Sequence, residues 1–301
     1  MASATPITAR WLVDHLPDRS DRAHKGTFGS VLVVAGSFSY PGAALLSGLG
    51  AMRAGAGLVE VAIGESIVGH LAAGVPELTW LPLDEEGRGL VAPSGWRTIA
   101  AAAADRDALV VGPGLGRQPA GQRRARQLIE AVHRPCVVDA DGLNALATVP
   151  RWWEGVRGSL VLTPHPGEFA RLTGTEVMDP GDDEGRATAA AVAAARFRQV
   201  VVLKGAATVI AAPDGRAMTS AIATPALATA GSGDVLAGAI GALLAAGVQP
   251  FEAAVCGVAL HGTAGMLAEA RIGRAGVLAR DIAALLPAAA TRLRTPEPED
   301  R

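Results

Sequence analysis

Ser30-Val31-Leu32-Val33-Val34-Ala35 is a short unbroken apolar run between two glycines, the pattern of a strand covered on both faces. The pattern returns at Leu58–Ile63, Ala108–Val111, Cys136–Val138, Leu160–Leu162 and Val200–Leu203. Stretches of helical composition separate these runs: Gly42–Gly55, Ala120–Val132, Pro166–Leu172 and Gly185–Phe197. Short buried strands alternating with helices predict an α/β fold, with a mostly parallel sheet between helices on both faces. Ala207–Ala212, the turn Pro213-Asp214-Gly215 and Arg216–Thr219 read instead as an antiparallel hairpin at one side of the sheet. Beyond Gly231 the chain reads as helix at Asp234–Ala246, Pro250–Ala270 and Ala279–Leu286. No repeat or long linker divides residues 1–301, which predicts one domain. Asp179–Glu184 reads as an acidic surface connection and Thr295–Arg301 as a disordered charged tail.

Half of the 301 residues are hydrophobic and 19% are charged, enough apolar material for a large core. A net charge of −2 offers no bulk attraction to nucleic acid or to an anionic membrane. With aromatic residues at 4%, base-stacking platforms are not expected either. Cys136 and Cys256 are isolated from each other and read as buried thiols rather than as a disulfide framework or metal cluster. Met1–His15 mixes Asp14 with Arg10 and lacks the apolar run of a secretory signal. Uncharged runs such as Val235–Phe251 fall short of the ~20 residues of a membrane span. The expectation is a soluble, cytoplasmic protein.

In an open parallel sheet, ligands bind at the carboxyl ends of the strands. Five polar or glycine-rich loops fall there: Gly36-Ser37, Gly112–Gly116, Asp139–Asn144, Thr163–Glu168 and Lys204–Thr208. A sixth segment, Thr229–Gly238, leads a small-residue turn into a helix, whose unpaired N–H groups and dipole suit phosphate. Asp234 lies in that turn. A carboxylate repels phosphate, so it reads as a base toward a hydroxyl, with an N-cap role for it or Ser232 as the plain alternative. Among 27 cationic residues only Lys25 and Lys204 are lysine, and each precedes a glycine. Both read as compact charges for phosphate oxygens. His165, held between Pro164 and Pro166, reads as a presented loop histidine. Asp139, Asp141 and Glu168 read as carboxylates that share Mg²⁺ through water, with a helix cap the equal alternative for Asp141. Gly112–Gly116 lacks the spacing of a dinucleotide fingerprint.

In their order and number these motifs, from His24-Lys25-Gly26-Thr27-Phe28-Gly29 to Gly276–Ile282, resemble the ADP/ATP-dependent NAD(P)H-hydrate dehydratase family. The resemblance implies a ribokinase-like three-layer α/β/α fold and a repair reaction. In it, the C6 hydroxyl of (6S)-NAD(P)H hydrate is phosphorylated by ADP or ATP with Mg²⁺, and loss of phosphate restores NADH or NADPH. It implies that Lys204, Gly205, Ala206, Ala207, Thr208 and Gly233 hold the nucleotide. Ala43, Gly114, His165 and Asp234 would contact the hydrated dinucleotide, with Asp234 as base. It also implies a homotetramer that handles one epimer unless a separate epimerase interconverts the two. Thr224–Leu227 departs from the glycine- and asparagine-bearing version of many relatives, so that loop's substrate contacts are open. The nearest rival is a ribokinase-like kinase of a small alcohol, such as a thiazole or pyrimidine vitamin precursor. A nucleotide sensor on the same scaffold would lack the base.

Overall fold

A computed structural model describes residues 4–87, 89–179 and 181–295. In chain order its first half comprises β1 (Thr5–Pro6), α1 (Ala9–His15), β2 (Ser30–Val34), α2 (Pro41–Ala54), β3 (Leu58–Gly64), α3 (Glu65–Leu71), β4 (Thr79–Leu83), α4 (Pro93–Ala104), β5 (Ala108–Val111) and α5 (Pro119–Ala131). There follow β6 (Cys136–Val138), α6 (Asp141–Leu146), β7 (Leu160–Leu162), α7 (Pro166–Thr173), α8 (Asp183–Phe197) and β8 (Val200–Leu203). The remainder is β9 (Val209–Ala211), β10 (Ala217–Thr219), α9 (Ser232–Ala245), α10 (Pro250–Ile272) and α11 (Ala279–Arg294). The strands form one sheet in the order β1-β10-β9-β8-β7-β6-β5-β2-β3-β4. From β8 to β4 every pairing is parallel, whereas β9 runs against both β8 and β10.

Alternation within each strand builds two cores. Val31, Val33, Val61, Val110, Val137 and Val161 face α2, α9, α10 and α11, while Leu32, Val34, Leu109, Val138 and Leu162 face α4, α5, α7 and α8. This is the expected three-layer α/β/α arrangement. Two edge strands escape the apolar-run pattern. β1 has two residues, and β4 (Thr79-Trp80-Leu81-Pro82-Leu83) is half exposed and carries a proline, which an edge strand tolerates because a ladder hydrogen bond is lost at little cost there. The helices α3 and α4 beside β4 likewise fall outside the expected set. α11 runs past the expected end at Leu286 to Arg294, with Pro287 inside it. Ala289 is buried and Leu293 packs on the same core, so continued burial offsets the lost hydrogen bond.

α10 corrects another expectation. Its 23 residues are long and apolar enough to cross a membrane, but 83% of the apolar window is buried inside the fold, as in a core helix. Cys136 and Cys256 are free and buried, and burial pushes the Cys256 thiol up to about 12. The tail expected from Thr295 onward lies outside the described residues beyond Thr295 itself.

Candidate active site

Parallel strands bring the five loops to one edge, and α9 returns antiparallel from that edge. Gly231 takes a left-handed φ of 86° and caps α9 without any side-chain hydrogen bond, so neither Ser232 nor Asp234 serves as the N-cap. The Ser232 hydroxyl instead pairs with His261 Nε2 at 3.0 Å. His261 lies buried in α10, and burial brings its imidazole down to about 4, so the ring is neutral near pH 7. A Cβ at Gly233, in the first turn of α9, would lie 3.4 Å from Lys204 Nζ. α9 is held against α2 by a close approach at Gly238, where a Cβ would fall 2.0 Å from the Ser47 carbonyl oxygen. A second close approach, where a Cβ at Gly50 would fall 2.4 Å from the Val235 carbonyl oxygen, holds α2, which carries Ala43, beside the start of α9 and Asp234.

Lys204 follows β8. Its ammonium donates to Asp139 Oδ1 at 2.7 Å and lies 3.8 Å from Glu168 Oε2. Both carboxylates are buried. Burial alone would lower Lys204, but Asp139 and Glu168 outweigh it and hold the ammonium above its ordinary value. Burial raises Glu168, against the pull of Lys204. Asp234 is pushed up to about 7 by burial, then by the charge of Asp139, with Lys204 pulling the other way. Such a carboxyl loses and regains its proton near neutrality, as a general base requires.

Between Asp139 and Asp141, Ala140 adopts a φ of 49° that is uncommon for an L residue. The two carboxylates part there. Asp141 Oδ2 accepts from Gly116 N at 2.8 Å, and Oδ1 accepts from Asn144 Nδ2 at 3.1 Å. Asp141 therefore ties down the glycine-rich loop and neither caps α6 nor joins Asp139 and Glu168. Among the described residues no three His, Cys, Asp or Glu side chains gather to hold a metal ion. The expected shared triad is thus reduced to Asp139 and Glu168. His165 caps α7: its Nδ1 accepts from Gly167 N at 3.0 Å, and its own N–H donates to Glu168 Oε2 at 2.9 Å. Burial, then Lys204, lowers its imidazole, and half of the side chain stays exposed.

Tyr40, Ala43, Gly114, Arg117, Asp141 and Asp234 line a cleft of about 540 Å³, which joins three of the four expected substrate contacts. His165 sits on a separate loop, after β7, near enough to Lys204 for that charge to act on its imidazole. In the turn after Lys204, Gly205 N donates to Thr208 Oγ1 at 3.3 Å, and Thr208 Oγ1 donates to the Gly205 carbonyl at 2.9 Å. Ala207 lines a second cleft of about 420 Å³ with Asp183, Glu184, Thr188, Val209 and Thr219. Lys25 is elsewhere. A Cβ at Gly57 would meet its carbonyl oxygen, and Gly29 abuts Ala245 at the far end of α9. The 14 residues of α9 separate the two lysines' edges by ~20 Å, so only Lys204 reaches the site. Tyr40, Arg117 and His261 were not singled out from the sequence. The signal for His261 was a lone histidine inside an apolar helix.

The sequence profile of the NAD(P)H-hydrate dehydratase family matches residues 31–288. A bifunctional NAD(P)H-hydrate repair enzyme of Moorella thermoacetica is 43% identical over 281 residues, covering 93% of this chain and 53% of that protein. The chain thus spans about half the length of such bifunctional relatives. An ADP-dependent (S)-NAD(P)H-hydrate dehydratase of Bacillus subtilis is 36% identical over 283 residues, 92% of this chain and 96% of the relative. A crystal structure of the ADP/ATP-dependent NAD(P)H-hydrate dehydratase from Bacillus subtilis, co-crystallized with ATP/Mg²⁺, superposes with a TM-score of 0.81 at 34% identity, over 97% of this chain and all of that one. A ribokinase-like superfamily protein of Enterococcus faecalis superposes at 0.80 with 23% identity over 97% of each chain, a likeness of fold alone.

Proposed function

This chain belongs to the NAD(P)H-hydrate dehydratase family, and from that premise we propose that it converts (6S)-NAD(P)H hydrate to NAD(P)H, with ADP or ATP as phosphoryl donor. The observation that carries the reading is Asp234. It lies in the first turn of α9, beside Lys204, in the cleft that also holds Ala43 and Gly114. In this reading Asp234 takes the proton of the C6 hydroxyl, whose oxygen then bonds to the terminal phosphorus as the bond to the departing nucleotide breaks. The phosphate so formed leaves C6 with the C–O electron pair, a proton departs C5, and the ring double bond returns. Lys204 and the N–H groups at the start of α9 steady the phosphoryl oxygens.

The turn Lys204–Thr208 with Gly233 takes the phosphate chain, and the cleft beside Ala207 takes the nucleoside. Ala43, Gly114 and His165 seat the hydrated dinucleotide. Asp139 and Glu168 suit Mg²⁺ held chiefly by phosphates and water, since that ion needs only one or two protein carboxylates. Mg²⁺ bound there supplies charge neutralisation along the phosphates. A homotetramer, a cytoplasmic location and a separate epimerase belong to the same reading.

The test is incubation with hydrated NADH, ADP or ATP and Mg²⁺, following nicotinamide absorbance and inorganic phosphate. One phosphate per restored NADH is expected. A stable phosphoester from a thiazole or pyrimidine alcohol, without repair of hydrated NADH, would establish the kinase instead.

A further inference from the structure

A buried cation lies under the turn that carries Lys204. Arg186, on α8, is 1% exposed. Its Nη2 donates to the carbonyl oxygens of Lys204 at 3.2 Å and Leu203 at 3.4 Å. Its Nη1 reaches Asp183 Oδ1 at 3.4 Å, on a side chain that is 68% exposed, and its Nε has no partner among the described residues. A Cβ at Gly205 would lie 2.1 Å from Nη2, so the guanidinium occupies the space that any larger residue at 205 would need.

This is an expensive arrangement for packing alone. A buried charge whose counter-ion stands largely in solvent, and which keeps an unsatisfied N–H, destabilises a fold, where an apolar side chain of the same size would not. The guanidinium does have a local effect. It grips the Lys204 carbonyl, while the Lys204 N–H donates to the Pro164 carbonyl at 2.9 Å. The Lys204 backbone is thereby held on both sides, and its side chain is directed to Asp139. The Gly205 N–H is taken by Thr208, and among the described residues the Ala206 and Ala207 N–H groups have no protein acceptor.

We infer that Arg186 is a positioning residue for the nucleotide. It anchors the Lys204–Gly205 turn from below, so that Lys204 and the free turn N–H groups meet the phosphate chain in place. The bound phosphates in return add counter-charge to that of the solvent-exposed Asp183. The inference rests on the reading that this turn holds ADP or ATP.

Calorimetric titration with ADP, together with steady-state kinetics, tests it on Arg186→Met, Arg186→Lys, Gly205→Ala and the double variant Arg186→Met/Gly205→Ala. Arg186→Met is expected to weaken ADP binding and raise the nucleotide KM about tenfold or more, as loss of a charged contact does, with the KM for hydrated NADH unchanged. Arg186→Lys should recover part of the loss. Gly205→Ala should weaken ADP binding in the parent but add little in the Met background, where a flexible thioether gives way. ADP affinity at the parent level in Arg186→Met, or losses that simply add in the double variant, would overturn the inference. If Arg186→Met fails to fold, Arg186→Lys and Gly205→Ala decide it, since both keep the site filled. A parent protein that binds neither ADP nor ATP would overturn the nucleotide reading and this one together. Binding by the parent with no effect at Arg186 would overturn this one alone.

Discussion

Asp234 has its carboxyl near 7 because burial and the neighbouring Asp139 charge disfavour the ion. In its proposed role as base the active form is the carboxylate, so kcat/KM should climb as pH rises through about 7. Asp139→Asn removes the repelling charge and should move that limb toward acid, as a pH profile of the two proteins would show. A limb that stays in place would mean that another group controls it. Asp234→Asn should cut kcat by roughly 10²–10⁴ or more while ADP still binds by calorimetry. The same carboxyl has a stability signature. Its folded value is raised above the unfolded one, so the native state holds the extra proton between about 4 and 7, and stability falls as pH rises across that window. Asp234→Asn should therefore raise Tm at pH 8 relative to the parent and change it less at pH 4. Lys204→Ala should weaken ADP binding by ~1.5–3 kcal/mol, and unchanged affinity would make that lysine structural. Asp234 and Lys204 were legible because each interrupts a small-residue turn where a charge has no packing reason. Arg186 and His261 were not. His261 stands inside an apolar helix and Arg186 in a charged first turn that reads as surface, and only the fold shows that a helix start and a turn rest on them.

At the scale of elements, the site depends on how closely two helices meet. α2 carries Ala43 and α9 carries Asp234, and they approach through Gly238 against Ser47 and Gly50 against Val235. Gly238→Ala would drive a methyl into the Ser47 carbonyl and push the helices apart. Overpacking of that kind costs about 1–3 kcal/mol, measurable by urea denaturation, and kcat should fall even though no reacting group is altered. Loss of stability with full kcat would show that the spacing is not critical. The central strands were readable because burial on both faces leaves an unbroken apolar run. β4 was not, since an edge strand mixes Thr79, Pro82 and half-exposed apolar residues into no clear period. α11 overran its apparent stop because the helix's apolar face continues beyond Pro287.

Over the whole molecule, the alternation of strand and helix foretold that five loops share an edge, where the candidate site lies. It said nothing of which loops would touch. Asp139 and Asp141, two residues apart, look like one acidic cluster in the sequence, yet the turn at Ala140 sends one to Lys204 and the other to the glycine-rich loop. The pairing of Lys25 with Lys204 dissolved for a similar reason: the fold puts them at opposite edges of the sheet.

That separation makes the chain its own labelling standard. Apart from the amino terminus, an acylating reagent meets two amines. Lys25 stands exposed on one edge, while Lys204 is one-fifth exposed and held in its protonated form by Asp139. Mass spectrometry of peptides after brief acylation should show Lys25 modified quickly at a rate indifferent to ADP. Lys204 should react slowly, and more slowly still once phosphates cover it. Because each amine reports a different end of the same sheet, their ratio reads crevice occupancy in a single tube, without a substrate or a fluorophore.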